Sequence, residues 1–385
     1  MKRLVLAAAI VLSFSSQAAD RIKVGFVSTL SGPNGAIGID IRDGFQLAVQ
    51  QLGNKFGGLP GEVIVGDDKF TPDVGRQLAE KMVKLDHVNF LTGIVYSPIL
   101  LATVPQVLNA EIPYISANAG PSQYAGKGCH PYFFNATWQT DVPHEAMGRY
   151  LSEKGVSNVL LIAPNFPGGR DAVAGFKRFY KGTIQKEIYT TLGQLDYGVE
   201  VSQIRSEKPG AVYFFLPGGM GINFIKQYTQ AGLTDIPLYT QAFSADEDTF
   251  RGVGGAVVGV FNSAHWSHEL DNAANKRFVA AFQKTYHRLP TVYAAQGYDT
   301  AMLIDSAVKG VHGNVEDKTA LLKSIKAANF QSVRGPFKFG NNNNPVQNFY
   351  IRQVVKNAKG EPVNKLIGTV LTNYGDAYAD QCAMK

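Results

Sequence analysis

The chain has 385 residues, of which 45% are hydrophobic and 18% charged, proportions that suit a folded globular protein and exclude a disordered or collagen-like one. Its formal charge of +6 comes from lysines and arginines scattered along the chain, with no basic stripe of the kind nucleic acid requires. Nucleic acid is therefore excluded as a partner.

The first residues read as an export signal. Lys2 and Arg3 precede an apolar run from Leu4 to Leu12, and Ser16 and Ala18 stand at positions −3 and −1 of a cleavage site before Ala19. The apolar run is too short to span a bilayer, and no later run is long enough. Removing residues 1–18 from 385 leaves 367, enough for two domains at about 100–200 residues each. Losing Lys2 and Arg3 lowers the formal charge from +6 to +4. The only cysteines are Cys129 and Cys382. In an oxidising compartment an even count permits one disulfide, here tying the tail to the first half of the chain; two unpaired buried thiols are the alternative.

In chain order, strands are predicted over 22–28, 62–66, 89–93 and 114–116, with amphipathic helices over 39–52, 74–85 and 98–108 between them. Ser97 is placed at the N-cap of the third helix and Pro98 at its first helical position. The rhythm restarts after Phe134, with helices over 143–154, 171–181, 201–206 and 220–231 and strands over 158–163, 187–191, 211–216 and 238–241. Strand alternating with helix at this spacing predicts parallel sheets covered on both faces, hence an α/β fold of two doubly wound, Rossmann-like lobes. A strand over 257–261 and covering helices over 273–286, 293–311 and 318–328 follow. The tail predicts antiparallel strands over 335–339, 348–355 and 365–372, with an Asn-rich turn at 340–345.

Ligands of open parallel sheets bind beyond the carboxyl ends of the strands, which directs attention to the loops 28–38, 93–97, 117–123, 164–170, 217–220 and 241–245. These loops carry Ser, Asn, Gly, Pro and aromatic residues, no His or Cys and few acids, so they suit binding by N–H groups and aromatic walls. Taken singly, each candidate has an ordinary structural explanation: Ser97 as a helix cap, Asn118 closing an Asx turn, Gly218 and Gly219 permitting a tight turn, Tyr293 as core. Their convergence on one edge of two lobes is what the ordinary explanations do not predict.

Enzyme motifs are absent: there is no GxxxxGK[ST], HExxH, GxSxG or CxxC, and the glycines at 252, 254, 255 and 259 are spaced wrongly for a dinucleotide fingerprint. No catalytic residue, cofactor or metal site is expected. The sequence His265-Trp266-Ser267-His268-Glu269 matches a metal site by composition only, and is read as a solvated or hinge-side loop.

Several segments together resemble the substrate-binding proteins of ABC importers, of the branched-chain amino acid binding type with the type I periplasmic binding fold. They are Val24-Gly25-Phe26-Val27-Ser28-Thr29-Leu30-Ser31-Gly32-Pro33, Asp67-Asp68, Thr92-Gly93, Ile115-Ser116-Ala117 and Gln230-Ala231-Gly232-Leu233. The resemblance implies three crossings near residues 136, 263 and 345, with lobes of 19–136 plus 263–344 and of 137–262 plus 345–385. It further implies a periplasmic monomer that closes over a small ligand and delivers it to a membrane permease. Carried over by position, Ser97 meets the ligand carboxylate and Ala117, Asn118, Ala119 and Gly120 form the neighbouring loop. Pro217, Gly218, Gly219, Gln241, Ala242 and Phe243 supply second-lobe contacts, and Ile37 and Tyr293 are pocket walls.

The chain departs from amino acid binders in one respect. They place a Glu just after the strand corresponding to 238–241, whereas the run here is Tyr239-Thr240-Gln241-Ala242-Phe243-Ser244. They also carry a Thr where this chain reads Asn118-Ala119-Gly120. A buried ammonium without a carboxylate costs several kcal/mol. With Tyr96, Phe166, Phe243 and Tyr293 available, the chain is similar to the subgroup that binds aromatic carboxylates such as benzoates, hydroxybenzoates and cinnamates, with Gln241 placed to bond a ring hydroxyl. Branched-chain amino acids or another small acid or amide are the alternative ligands. A secreted enzyme would need a nucleophile or acid–base pair in these loops, and a sensor or regulator a membrane span or helix-turn-helix; neither set is visible.

Overall fold

The computed structural model describes residues 20–384, so the export signal expected over residues 1–18 lies outside the described residues. Strand β1 (Ile22–Ser28) is buried along nearly its whole length, the mark of a central parallel strand covered on both faces. Around it the chain builds α1 (Gly35–Gln51), β2 (Lys55–Phe56), β3 (Leu59–Asp67), α2 (Pro72–Lys84), β4 (Phe90–Thr92), α3 (Ser97–Asn109), β5 (Tyr114–Ser116) and β6 (Phe133–Asn135). The sheet order is β2-β3-β1-β4-β5-β6. Only the short β2 runs antiparallel, as one arm of a hairpin with β3.

The second half supplies α4 (Asp141–Glu153), β7 (Asn158–Pro164), α5 (Pro167–Phe179), β8 (Thr183–Thr190), α6 (Gly198–Glu207), β9 (Val212–Phe214), α7 (Gly219–Gln230), β10 (Leu238–Gln241), α8 (Glu247–Val253) and β11 (Phe261–Ala264). Helices α9 (Ala273–Tyr286), α10 (Val292–Gly310) and α11 (Lys318–Ala327) come next, then β12 (Lys338–Phe339), β13 (Pro345–Lys356) and β14 (Pro362–Tyr374). The second sheet is ordered β12-β13-β11-β10-β9-β7-β8, with β14 paired to β13. The expected strand over 257–261 falls later, at β11, because residues 254–257 form a 3₁₀ turn and Gly259 takes a φ of +97° that ends it.

Helix α10 leaves the second sheet and packs on α1 of the first. A Cβ at Gly297 would fall 1.9 Å from the Ile41 carbonyl oxygen, and one at Gly44 would fall 1.9 Å from that of Ala294. Gly297→Val is therefore expected to cost about 3 kcal/mol, because the obstacle is backbone that cannot turn aside. A loss below about 1 kcal/mol in urea denaturation would show that the two helices separate freely.

Three chain passages lie side by side between the sheets. Asn135 Nδ2 donates to the Trp138 carbonyl at 2.5 Å and to Asn344 Oδ1 at 2.9 Å. Arg334 Nη1 donates to the Thr137 carbonyl at 3.1 Å and to Gln347 Oε1 at 2.8 Å. The Trp138 ring stands edge-on to His265 at 4.5 Å. Of the two readings of 265–269, solvated or hinge-side, the solvated one is thus corrected for His265 and Trp266, which are fully buried beside the passages, held by aromatic packing that their spacing along the chain does not reveal; Glu269 is exposed. Cys129 and Cys382 are bonded to each other. The tail that carries Cys382 also binds through Tyr378, whose hydroxyl donates to Asp141 Oδ2 at 2.8 Å, and Asp376, whose Oδ2 accepts from Asn342 Nδ2 at 2.9 Å.

Candidate functional site

Val95, Tyr96, Ser97, Ala119, Thr140, Phe166, Gly168, Phe215, Pro217 and Phe243 surround one cavity between the two sheets. Three helices point their amino-terminal ends at it: α3 begins at Ser97, α5 has Phe166 as its cap, and α7 begins just after Pro217 with Gly218 as its cap. The N–H groups of a first helical turn have no partner inside the helix, so these ends are positive and suit an anion. Neither the N–H nor the hydroxyl of Ser97 has a hydrogen-bond partner among the described residues. A Cβ at Gly168 would lie 3.3 Å from Ser97 Oγ, so α3 and α5 meet end to end across the cavity. No charged side chain lines it.

Ser97 is itself the first residue of α3, and Tyr96 is the cap, one position earlier than expected. Tyr96 has the extended backbone of a cap, with φ −108° and ψ 135°. The consequence for the site is favourable, since the Ser97 hydroxyl is not spent on its own helix.

The opposite wall is aromatic. Phe215 lies 6.1 Å from Phe166 and 5.7 Å from Phe243, and Phe243 in turn packs on Trp138 at 4.6 Å and Tyr293 at 5.5 Å. The enclosed space is about 20 Å³, room for about one water molecule. A six-membered ring enters only if the sheets move apart or these phenylalanines turn.

The other expected residues divide into two groups. Ile37 and the Tyr96 hydroxyl flank Gly218, each 3.8 Å from where its Cβ would stand, and Pro33 O lies 3.2 Å from the corresponding point at Gly219. Of these only Tyr96 lines the cavity, and Gly218 and Gly219 follow the lining Pro217 in the chain. Asn118, Gly120 and Gln241 do not line it. Asn118 Nδ2 donates to the Val95 carbonyl at 2.9 Å, and the Ala119 N–H points to the Ile94 carbonyl at 3.4 Å, so both brace the loop before Ser97. A Cβ at Gly120 would lie 2.1 Å from the Trp138 carbonyl oxygen, which makes it a packing glycine. Gln241 turns its Oε1 onto the Phe243 N–H at 2.7 Å, capping its own turn; only its Nε2, buried and unpartnered, remains free.

Val95 and Gly168 fall in the expected loops 93–97 and 164–170 without having been singled out, whereas Thr140 and Phe215 were not anticipated at all. Phe215 falls inside a run read as buried strand, and Thr140 follows a crossing rather than a strand end. Nothing in their local sequence separates them from core or linker.

Behind the cavity is a buried ionic layer. Asp40 on α1 pairs with Arg288 at 2.6 Å and accepts from Thr291 Oγ1 at 2.9 Å, yet burial pushes its carboxyl up to about 6. Asp246 pairs with Arg352 at 3.0 Å and accepts the Val292 N–H at 2.7 Å. Burial drives the phenols of Tyr96 and Tyr293 well above the usual range, with the nearby Asp248 as the second cause. Both therefore remain protonated donors at neutral pH. Among the described residues no group of three or more His, Cys, Asp or Glu is placed to hold a metal ion.

Two layered α/β sheets with helix ends converging on a cavity between them define a two-lobed binding protein. The chain belongs to the periplasmic binding protein family, whose pattern matches residues 21–360. A solute-binding protein of an ABC transporter from R. palustris, in complex with benzoate, is 32% identical, with 94% of this chain and 99% of that one covered and a TM-score of 0.89. Another, from Rhodopseudomonas palustris BisB5 in complex with 3,4-dihydroxy benzoic acid, is 29% identical, covers 93% and 99%, and has a TM-score of 0.86. Among curated proteins, Leu/Ile/Val-binding protein homolog 6 of Brucella melitensis is 28% identical, with 96% of this chain and 97% of that one covered. Among the described residues no helix is long and apolar enough to cross a membrane.

Proposed function

We propose that this protein captures a small aromatic carboxylate in the cavity at Ser97 and delivers it, chemically unchanged, to a membrane permease of an ABC importer. It works as an exported periplasmic monomer, cleaved near Ala18, with lobes of 19–136 plus 263–344 and 137–262 plus 345–385 hinged at the three adjacent passages. The observation that carries the reading is the pairing of helix amino-terminal ends, free of charged side chains, with a wall of Phe166, Phe215 and Phe243. The dipoles meet one negative charge, and the rings meet an apolar face. No acid lines the cavity beside Ser97, where the ammonium of an α-amino acid would have to sit. The benzoate and dihydroxybenzoate complexes of the R. palustris and BisB5 proteins support the same ligand class.

Ser97→Ala is expected to weaken binding by about 1–3 kcal/mol, the range for losing a hydrogen bond to a charged group. Methyl benzoate should bind far more weakly than benzoate, because the ester carries no charge for the helix ends to meet. The second reading, a branched-chain amino acid, is favoured by the Brucella homologue. Calorimetry separates the two. Micromolar or tighter binding of leucine, isoleucine or valine, with no heat from benzoate, hydroxybenzoates or cinnamates, would overturn the aromatic reading.

A further inference from the structure

Asp248, in the first turn of α8, is 6% exposed, and both of its carboxylate oxygens are buried. Neither oxygen has a hydrogen-bond partner among the described residues, and no cation lies within ion-pairing distance. The hydroxyl of Tyr293 is also buried and unpartnered. That of Tyr96 has a single long contact, 3.4 Å, to the Asn34 carbonyl.

The protein offers Asp248 little: the Thr249 N–H beside it already donates to the Asp246 carbonyl at 2.9 Å, and Arg251 attracts it only from a distance. From α1 it meets the charge of Asp40, which is already held by Arg288 and Thr291. From the cap of its own helix it meets Asp246, already held by Arg352, Val292 and Asn364. Arg251, on its own helix, is exposed and forms no ion pair with it. Burial, with the charges of Asp40 and Asp246, holds the Asp248 carboxyl well above the usual carboxylate range; in either form its buried oxygens lack a donor, which is costly, and a ligand that brings one offsets that cost.

We propose that the buried, unpartnered Asp248 accepts a hydrogen bond from a hydroxyl on the ligand ring opposite its carboxylate, so that the ligand class is the hydroxybenzoates. The inference rests on the aromatic-carboxylate reading and narrows it. The donor is a distal hydroxyl and not an α-ammonium, because an ammonium stands on the carbon next to the carboxylate. Asp248 is not among the residues around the Ser97 end of the cavity; its helix α8 packs on α1, and Asp246 at the cap of α8 holds the Val292 N–H, one residue before Tyr293. Tyr293 is joined to the cavity wall through Phe243. Gln241, the sequence-based candidate for a ring hydroxyl, has its acceptor engaged by the Phe243 N–H.

The test is calorimetry of the whole mature protein with benzoate, 4-methylbenzoate and 4-hydroxybenzoate, for the wild type, Asp248→Asn and Asp248→Ala, with thermal unfolding to confirm that each variant is folded. The wild type should bind 4-hydroxybenzoate about tenfold or more tightly than either unhydroxylated acid. Asp248→Ala should erase that preference while leaving benzoate within about threefold of wild type. Asp248→Asn, nearly the same shape, should retain part of it through its amide oxygen. If the wild type binds all three acids equally, or if Asp248→Ala weakens benzoate as much as 4-hydroxybenzoate, Asp248 is a structural acid and the assignment is wrong, while the aromatic reading stands. If the wild type binds none of the three acids, both fall together.

Discussion

Replacing Arg352 by methionine is expected to cost about 3–5 kcal/mol of stability, the range for removing one partner of a buried ion pair. Arg352 and Asp246 are each fully buried, 3.0 Å apart. Arg352 Nε also donates to Asn262 Oδ1 at 2.8 Å. Without the guanidinium, the Asp246 carboxylate keeps only the Val292 N–H and the Asn364 amide, too little to hold a charge away from water. The damage extends beyond one bond, since Asp246 grips the first residue of α10 from the loop ahead of α8, and Tyr293 is the next residue along. Urea denaturation of Arg352→Met, Asp246→Asn and the double variant measures the effect. The double variant should recover part of the loss, because it removes the orphaned charge together with its partner. Equal losses in the single and double variants would show that Arg352 acts by packing alone.

The ionic layer shows what the sequence could not reveal. Asp40, Asp246 and Asp248 carry no local mark of burial, and the partners of the first two arrive from far along the chain: Arg288 is 248 residues beyond Asp40, and Arg352 is 106 beyond Asp246. The expected absence of an acid after β10 holds for the run 239–244, but Asp248 stands four residues past its end. Helix α8 itself went unread because seven residues rich in acids show no apolar period.

Where periodicity and flanking residues suffice, agreement is close. Strands β1, β5 and β10 and helix α9 have the bounds predicted for them, each combining a clear apolar pattern with turn residues at its ends. Helices α1, α2 and α5 start two to four residues earlier than expected. Their first turns begin with Gly or Pro, which add no apolar residue to the periodic pattern although Pro at a first turn is compatible with a helix. At the site, Ser97, Phe166 and Phe243 were legible because strand ends of a doubly wound sheet mark the binding edge. The side-chain directions of Asn118 and Gln241 were not, because each bonds a backbone group whose position depends on the folded loop.

Reducing the Cys129–Cys382 bond is expected to remove about 4–5 kcal/mol, acting mainly through the unfolded chain. The two cysteines are 253 residues apart. A loop of that length sacrifices much entropy when closed; the chain-entropy relation gives about 5.5 kcal/mol, an upper figure because real unfolded chains are more compact. In the folded state the tail keeps its other attachments, Tyr378 on Asp141, Asp376 on Asn342 and the Ala379 carbonyl on Asn341 Nδ2, so reduction should leave the fold in place. Thiol titration of the denatured, unreduced protein should find no free thiol, and the urea midpoint should fall on adding reductant. The double variant Cys129→Ser with Cys382→Ser should lose about as much as reduction does. A clearly greater loss in the variant would place the excess on packing at Cys382, which is 8% exposed. No shift of the midpoint on reduction would mean that the unfolded chain is already compact enough for the link to constrain nothing.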